Sequence, residues 1–103
     1  MVIKRNDMIN SSQRKKLRAM AHHLEPMVII GKSGYNDGAK QSIDESLVKN
    51  ELIKIKFNDH KKNKKNISQN IESDLQAYIV GSIGNIIILY KQNPDFDKRK
   101  ISI

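Results

Sequence analysis

Two apolar segments separated by a helical one set the topology of this chain. Met27 to Ile30 is a short, unbroken apolar run, which is typical of a buried strand. Leu52 to Phe57 alternates apolar residues with lysines, which predicts a strand whose second face is wet or faces a ligand. Between them, about Asp37 to Lys49 carries Ile43 and Leu47 on one helical face. Because a helix joins the two strands, we expect them to be parallel, through a right-handed crossover.

The rest of the chain adds one helix before these elements, and a helix and a hairpin after them. For the first helix, the candidate N-caps are Ser11 and Ser12, and Pro26 is expected to stop it. Its predicted apolar face consists of Leu17, Met20, Ala21 and Leu24, and that of the third helix consists of Ile67, Ile71 and Leu75. The predicted strands of the hairpin are Tyr78 to Ile83 and Ile86 to Tyr90. Gly84-Asn85 is the expected hairpin turn, with glycine supplying a positive φ. The order α-β-α-β-α-β-β predicts an α/β fold, a two-layer sandwich with a mixed four-stranded sheet.

A chain of 103 residues is long enough for one domain with one modest core. We expect residues 1–10 to form a flexible arm and residues 11–103 to form the single domain, with a short basic tail at Lys98 to Lys100. Cysteine is absent, and no apolar segment has the length of a signal-peptide core or a membrane span. We therefore expect a soluble, cytoplasmic protein with no membrane association, and a monomer.

The balance of charge favours a polyanionic partner. The formal net charge is +8, from 19 basic and 11 acidic residues, and nucleic acid is the first candidate for such a partner. Lysine, asparagine and isoleucine share AT-rich codons, so genome composition is a second explanation for part of the excess. The placement of the cations therefore matters more than their sum.

The segment Gly31-Lys32-Ser33-Gly34, called the GKSG loop below, has the features of a phosphate site. It follows a predicted strand and precedes Asn36 and Asp37, which are candidate caps of the next helix. The glycines leave the backbone unhindered, the helix N-terminus attracts anions, and Lys32 adds a cation. A plain strand-to-helix turn is the alternative interpretation, since GxxG alone is a weak motif.

Other chemistries find little support in the sequence. GxxxxGK[ST] would need glycine at position 26, where Pro26 stands, so we expect no ATP or GTP site and no small-molecule substrate. His22 and His23 are adjacent, hence about 100° apart on a helix, and cannot chelate one metal ion together. We expect no metal, no cofactor and no enzymatic activity, and we expect His22 to be a buried, hydrogen-bonded helix residue that supports the loop.

Four motifs occur together in this chain: Leu17 to Pro26 (LRAMAHHLEP), the GKSG loop, Glu51 to Lys56 (ELIKIK) and Lys98 to Ser102 (KRKIS). Together they resemble the CRM domain, the chloroplast RNA splicing and ribosome maturation domain, in its small bacterial YhbY-type form. The resemblance covers about residues 10–103. It implies RNA binding without catalysis, association with ribosomal RNA of precursor large ribosomal subunits, and a sheet of strand order 1-2-4-3 resembling the C-terminal domain of translation initiation factor three.

Physical reasoning and this resemblance together predict the binding residues. KH domains clamp backbone nucleotides with a GxxG loop, and the GKSG loop would act similarly. The candidate RNA-binding residues are Gly31, Lys32, Ser33, Gly34, Arg14, Lys15, Lys16, Arg18, Lys54 and Lys56. A solvated face is the alternative for the first-helix cations. Two other functions stay open: an architectural DNA binder, and a module that docks on an acidic protein.

Two further features have two interpretations each. The segment Lys61 to Lys65 contains four lysines at the predicted N-terminus of the third helix, where positive charge opposes the helix dipole. Either the helix begins later than this segment, or the segment makes an additional contact with RNA. We favour a disordered, solvated loop there. Tyr35 lies beside the GKSG loop and is a candidate for base stacking, although a packing role fits equally well.

Overall fold

The computed structural model describes residues 9–102. The elements in chain order are α1 (Ser11–Ala21), β1 (Val28–Ile30), α2 (Asp37–Asn50), β2 (Leu52–Phe57), α3 (Lys64–Leu75), β3 (Tyr78–Ile83) and β4 (Ile86–Tyr90), with 3-10 turns at Lys61–Asn63 and Phe96–Lys98. Of the arm expected at residues 1–10, residues 1–8 lie outside the described residues. Ile9 and Asn10 belong to the fold, since Ile9 is buried and Asn10 caps α1.

The four strands form one mixed sheet in the order β1-β2-β4-β3. β1 pairs with β2 in parallel, in a register that places Ile30 beside Phe57, and the other two pairings are antiparallel. Gly84 has a φ of +57° in the β3–β4 turn, which fits the glycine predicted there. The predicted class, element order and strand order are confirmed.

The helices pack on both faces of the sheet, so the prediction of two layers was wrong. α2 and α3 cover one face, where Ile43, Leu47 and Ile71 pack on Ile53 and Ile55. α1 covers the other face with Leu17 and Ala21, which belong to a second apolar cluster that contains Leu52, Val80, Ile88 and Tyr90. Because β4 is apolar on both faces, each face needs a helical cover, and three layers result.

The ends of α1 differ from the sequence prediction. Asn10, rather than Ser11 or Ser12, is the N-cap: its side chain accepts from Gln13 N at 2.8 Å, and Gln13 Oε1 accepts from Asn10 N at 2.8 Å. This reciprocal pair is a capping box. The helix ends at Ala21, before Pro26 is reached.

A buried carboxylate holds the C-terminal segment in place. Glu51 is 0% exposed and accepts hydrogen bonds from the backbone N–H groups of Asn93, Lys100 and Ile101. Ile101 packs on the α1 cluster. The expected basic tail at Lys98 to Lys100 is therefore anchored to the sheet at the start of β2.

Candidate nucleic-acid interface

The GKSG loop is a tight turn with its two middle side chains in solvent. Gly34 N donates to Gly31 O at 3.0 Å, which closes the turn, and Gly34 has a φ of +67°. Lys32 and Ser33 are both exposed. The turn uses the N–H of Gly34, and those of Lys32 and Ser33 have no hydrogen bond within residues 9–102.

His60 supports this turn from a distant part of the chain. Its Nε2 lies 2.8 Å from Lys32 O, and since a carbonyl only accepts, Nε2 is the protonated ring nitrogen. The ring also packs on Gly34, where an added Cβ would lie 3.3 Å from Nε2. Gly34 is thus required by the positive φ and by the close approach of His60.

A groove of about 480 Å³ runs beside the loop, between the free edge of β1 and the first turns of α2. Its apolar side includes Met27 and Ile29, and Ile29 is 55% exposed. Its other side is the N-terminus of α2, where Asn36 accepts from Ala39 N at 2.8 Å. Asp37 in the first turn places a negative charge near this end, which opposes anion binding at the terminus itself.

The lysine run begins next to the loop because His60 directly precedes it. Lys61 to Asn63 form a 3-10 turn, and α3 begins at Lys64, so the prediction of a disordered loop was wrong. Lys61, Lys62 and Lys65 are exposed. Lys64 differs, since its Nζ donates to Gly84 O at 2.6 Å and burial lowers its pKa. Lys61 and Lys62 therefore stay exposed beside the GKSG loop, whereas Lys65 lines a depression with Ser82 and Ile87 on the β3–β4 side of the sheet.

The basic face of α1 divides into two kinds of residue. Arg14 Nη1 donates to Ile79 O at 2.9 Å, and Arg18 Nη1 donates to Val80 O at 3.0 Å. Both arginines thus fasten α1 to the edge strand β3, which sequence reasoning did not foresee. Lys15 and Lys16 are exposed, and the structure shows no such bond for either among the described residues.

Lys54 and Lys56 lie on the α1 face of β2 and are half-buried. Lys54 Nζ donates to His22 O at 3.5 Å, near the end of α1. Lys56 pairs with Ile86 of β4 and with Ile29 of β1 in register. The two lysines thus form the partly solvated side of β2 that the alternating sequence predicted.

The structure also bears on the predictions made for His22 and Tyr35. His22 is exposed at the C-cap of α1, so the prediction that it is buried and supports the loop was wrong; His60 has that contact. Tyr35 packs on the core, and its hydroxyl donates to Asp74 Oδ2 at 3.0 Å. Burial and this bond raise the pKa of Tyr35, and of its two interpretations the packing role fits.

A signal for His60 was present in the sequence. β1 and β2 are parallel, so the residues that follow them meet at one edge of the sheet. Asn58 N accordingly donates to Ile30 O at 3.0 Å, and His60 lies beside residues 31–34. The residues that follow the two parallel strands therefore identify His60 as the residue that supports the loop, whereas the helix pattern pointed to His22.

Comparison with known proteins shows the family to which this chain belongs. The sequence model of the CRS1/YhbY (CRM) domain family matches residues 9–91. The chain belongs to the CRM-domain family. The match includes α1, the GKSG loop and the whole sheet.

The CRM domain has relatives among small proteins of similar length. It is 34% identical over 89 residues to "Probable RNA-binding protein YqeI" of Bacillus subtilis, covering 85% of this chain and 93% of that protein. It is 32% identical over 88 residues to "RNA-binding protein" of Haemophilus influenzae, covering 84% and 89%. The solution structure of the hypothetical protein SAV1595 from Staphylococcus aureus superposes with a TM-score of 0.74 at 28% identity, covering 92% of this chain and all of that one.

Within residues 9–102, each helix of this CRM domain is too short or too polar to span a lipid bilayer. Nor do His, Asp and Glu side chains there form a group of three that is suited to a metal ion.

Proposed function

We propose that this CRM domain is a non-catalytic RNA-binding protein that holds an RNA backbone at the GKSG loop. The observation that carries the proposal is the exposed Lys32-Ser33 tip, held in a fixed turn by the bond between His60 and Lys32 O. A loop that is ordered before binding loses less conformational entropy when a ligand binds. The relatives named as RNA-binding proteins support the same function.

The phosphate contacts follow from the donors at the tip. The backbone N–H groups of Lys32 and Ser33, the Ser33 hydroxyl and the Lys32 ammonium can all donate to phosphate oxygens. Lys61 and Lys62 continue the cationic surface next to the loop. Such contacts fix position and register on the nucleic acid and carry little sequence information.

The other predicted residues form the outer part of the proposed surface. Lys15 and Lys16 are exposed on α1, and Lys54 and Lys56 lie on the same face of the sheet. The candidates Arg14 and Arg18 each commit one N–H group to β3 and retain the other donors of a guanidinium for phosphate. We propose that the target is ribosomal RNA of precursor large ribosomal subunits, as the family implies. The protein would act there as an assembly factor, as a monomer and in the cytoplasm.

Replacing Lys32 and Ser33 together with aspartate tests the loop. The two carboxylates would occupy the anion site and repel phosphate, so RNA affinity should be lost. Because both positions are exposed turn positions, stability should change by no more than about 0.5 kcal/mol. The matched control is Lys49→Asp with Ser73→Asp, an equal charge change at exposed helix positions away from the loop. RNA affinity and thermal melting are measured for both variants, and normal binding by the loop variant would contradict the proposal.

The salt dependence of affinity tests the backbone contacts independently. With about five phosphates contacted, log K against log salt should have a slope of about −3.5, at roughly −0.7 per contact for a single strand. Affinity should then fall on the order of 100-fold between about 50 and 200 mM salt. A flat salt response, or equal affinity for duplex DNA and structured ribosomal RNA, would count against this function.

A further inference from the structure

An exposed aromatic side chain lies far from the GKSG loop. Phe96 is 76% exposed, more than any other large apolar residue among those the structure describes. It opens the 3-10 turn Phe96–Lys98, whose preceding residue Asp95 accepts from Asp97 N at 3.1 Å. Because this ring remains in water, its apolar surface is available to a binding partner.

The segment that carries Phe96 is fixed on both sides. Glu51 accepts from Asn93 N before the ring and from Lys100 N and Ile101 N after it. Arg99 Nε donates to Asn93 O at 2.9 Å, and its guanidinium carbon lies 5.0 Å from the centre of the Phe96 ring. Arg99 therefore covers one face of the ring, and the high exposure of Phe96 leaves the other face open.

The surroundings of the ring offer polar groups as well as cations. A depression of about 320 Å³ is lined by Phe96, Gln92, Arg99, Lys100 and Ser102, with Ile101 at its side. The Gln92 amide and the Ser102 hydroxyl can each donate and accept, which suits the edge of a nucleobase.

The charge near Phe96 is positive but small. Residues 91–102 include four basic and two acidic side chains. One of the basic groups, Lys98, lies 4.0 Å from the Asp95 carboxylate at the surface. Attraction for phosphate is therefore weak here, and the aromatic face is the main binding feature.

This site lies at the opposite end of the sheet from the GKSG loop. The loop follows Ile30, which is beside Phe57 at the end of β2, whereas Glu51 directly precedes Leu52 at its start. Six strand residues span roughly 17–20 Å. The two sites are thus separate contacts that one single-stranded segment of several nucleotides can reach together.

We propose that Phe96 stacks on a nucleobase of single-stranded RNA, with Arg99 behind the ring and Gln92 and Ser102 at the base edge. The proposal rests on the RNA-binding function proposed above and adds a base contact to its backbone contacts. Every base has a π-face, so the contact tolerates any sequence. It lies beyond residues 9–91, the part of the chain that the family model matches.

The first test compares Phe96→Leu with Phe96→Trp. Leucine keeps an apolar side chain but cannot stack, so the Kd for a single-stranded oligoadenylate should rise by about fivefold or more, the low end of a base–aromatic stack. The rise should be the same at low and high salt, because no charge is removed. Tryptophan should bind at least as well as phenylalanine. Unchanged affinity in Phe96→Leu would overturn the proposal.

The second test uses fluorescence. The chain contains no tryptophan, so Trp in the Phe96→Trp variant is the sole indole and reports on its own surroundings. Oligoadenylate should change its emission, and an abasic ribose-phosphate strand of equal length should not. A bound strand that leaves the emission unchanged, or an abasic strand bound with equal affinity, would overturn the base contact while the backbone contacts stand.

Failure of the proposed function looks different. A wild-type protein that binds no RNA at all removes both proposals, and its tryptophan variant would then give no signal with any strand. Combining Phe96→Trp with the double aspartate change at the GKSG loop separates the two sites. The emission change should be lost at oligoadenylate concentrations that saturate the Phe96→Trp variant and should return at much higher concentrations, because the ring still contacts any strand that binds. A strand that is bound by the combined variant without an emission change would overturn a separate Phe96 site.

Discussion

Replacing His60 with asparagine should weaken RNA binding while leaving the fold intact. His60 has a φ of +57°, a conformation that asparagine tolerates better than most residues, so the backbone strain is not increased. The shorter side chain removes the ring that contacts Gly34 and the bond to Lys32 O. The loop then loses its hydrogen bond to His60, and the backbone of Lys32 and Ser33 becomes more mobile in the unbound protein.

The magnitude follows from two contributions. Loss of one hydrogen bond costs about 0.5–1.5 kcal/mol of folding stability, which lowers Tm by about 4–8 °C per kcal/mol in a domain of this size. Re-ordering the backbone of one loop residue on binding costs about 1–2 kcal/mol. That is about a 5- to 30-fold rise in Kd at 25 °C. Affinity and melting are measured side by side, with ribosomal RNA at constant salt.

The matched control is His22→Asn, because His22 is exposed at the end of α1 and has no contact with the loop in the structure. It should bind RNA as the wild type does. The salt slope should be the same in both variants and in the wild type, since neither change removes a phosphate-bound cation. Normal RNA affinity in His60→Asn, or equal losses in the two variants, would refute the reasoning that His60 fixes the loop.

Two other predictions separate structural from binding roles. Arg14→Ala should lower the free energy of unfolding by about 1 kcal/mol, because the bond to β3 is lost. Lys15→Ala should leave thermal melting unchanged and reduce the salt slope of RNA binding by about 0.7. The opposite pattern would mean that the roles of the two residues are exchanged. Burial and the bond to Asp74 raise the pKa of Tyr35, so the stability this residue contributes is present below about pH 10 and is lost as pH rises further. Unfolding free energies measured up to pH 11 should therefore fall more steeply in the wild type than in Tyr35→Phe, and parallel curves would contradict that assignment.

Local patterns predicted the elements well because each pattern reports on its own backbone. The bounds of β2, β3 and β4 are confirmed as predicted, since alternation, apolar runs and the Gly84 turn mark strand ends directly. The GKSG loop was found for the same reason, as it lies between a strand and a helix. Its role in binding stays a prediction.

Contacts between distant segments were the part that local patterns did not predict. Periodicity shows that α1 has an apolar face, but not which face of the sheet it covers, so the layers were predicted wrongly. A cation on a helix gives no local sign of whether it reaches a carbonyl, as Arg18 does, or stays in solvent, as Lys16 does. His60 and Glu51 act across 28 and more than 40 residues of chain, and only the folded topology brings their partners close.

The bonds of Glu51 have a consequence for how the protein is made. A fragment that ended at Lys91, where the family match ends, would lack all three N–H donors of a fully buried carboxylate. Each lost hydrogen bond costs about 0.5–1.5 kcal/mol, so together they form a notable share of the 5–15 kcal/mol that holds a domain together. Residues 28–90 can form the sheet as they leave the ribosome, but the donors to Glu51 are complete only when residue 101 has emerged. Emergence of residues 93–101 is thus the step that gives this domain its full set of stabilising contacts.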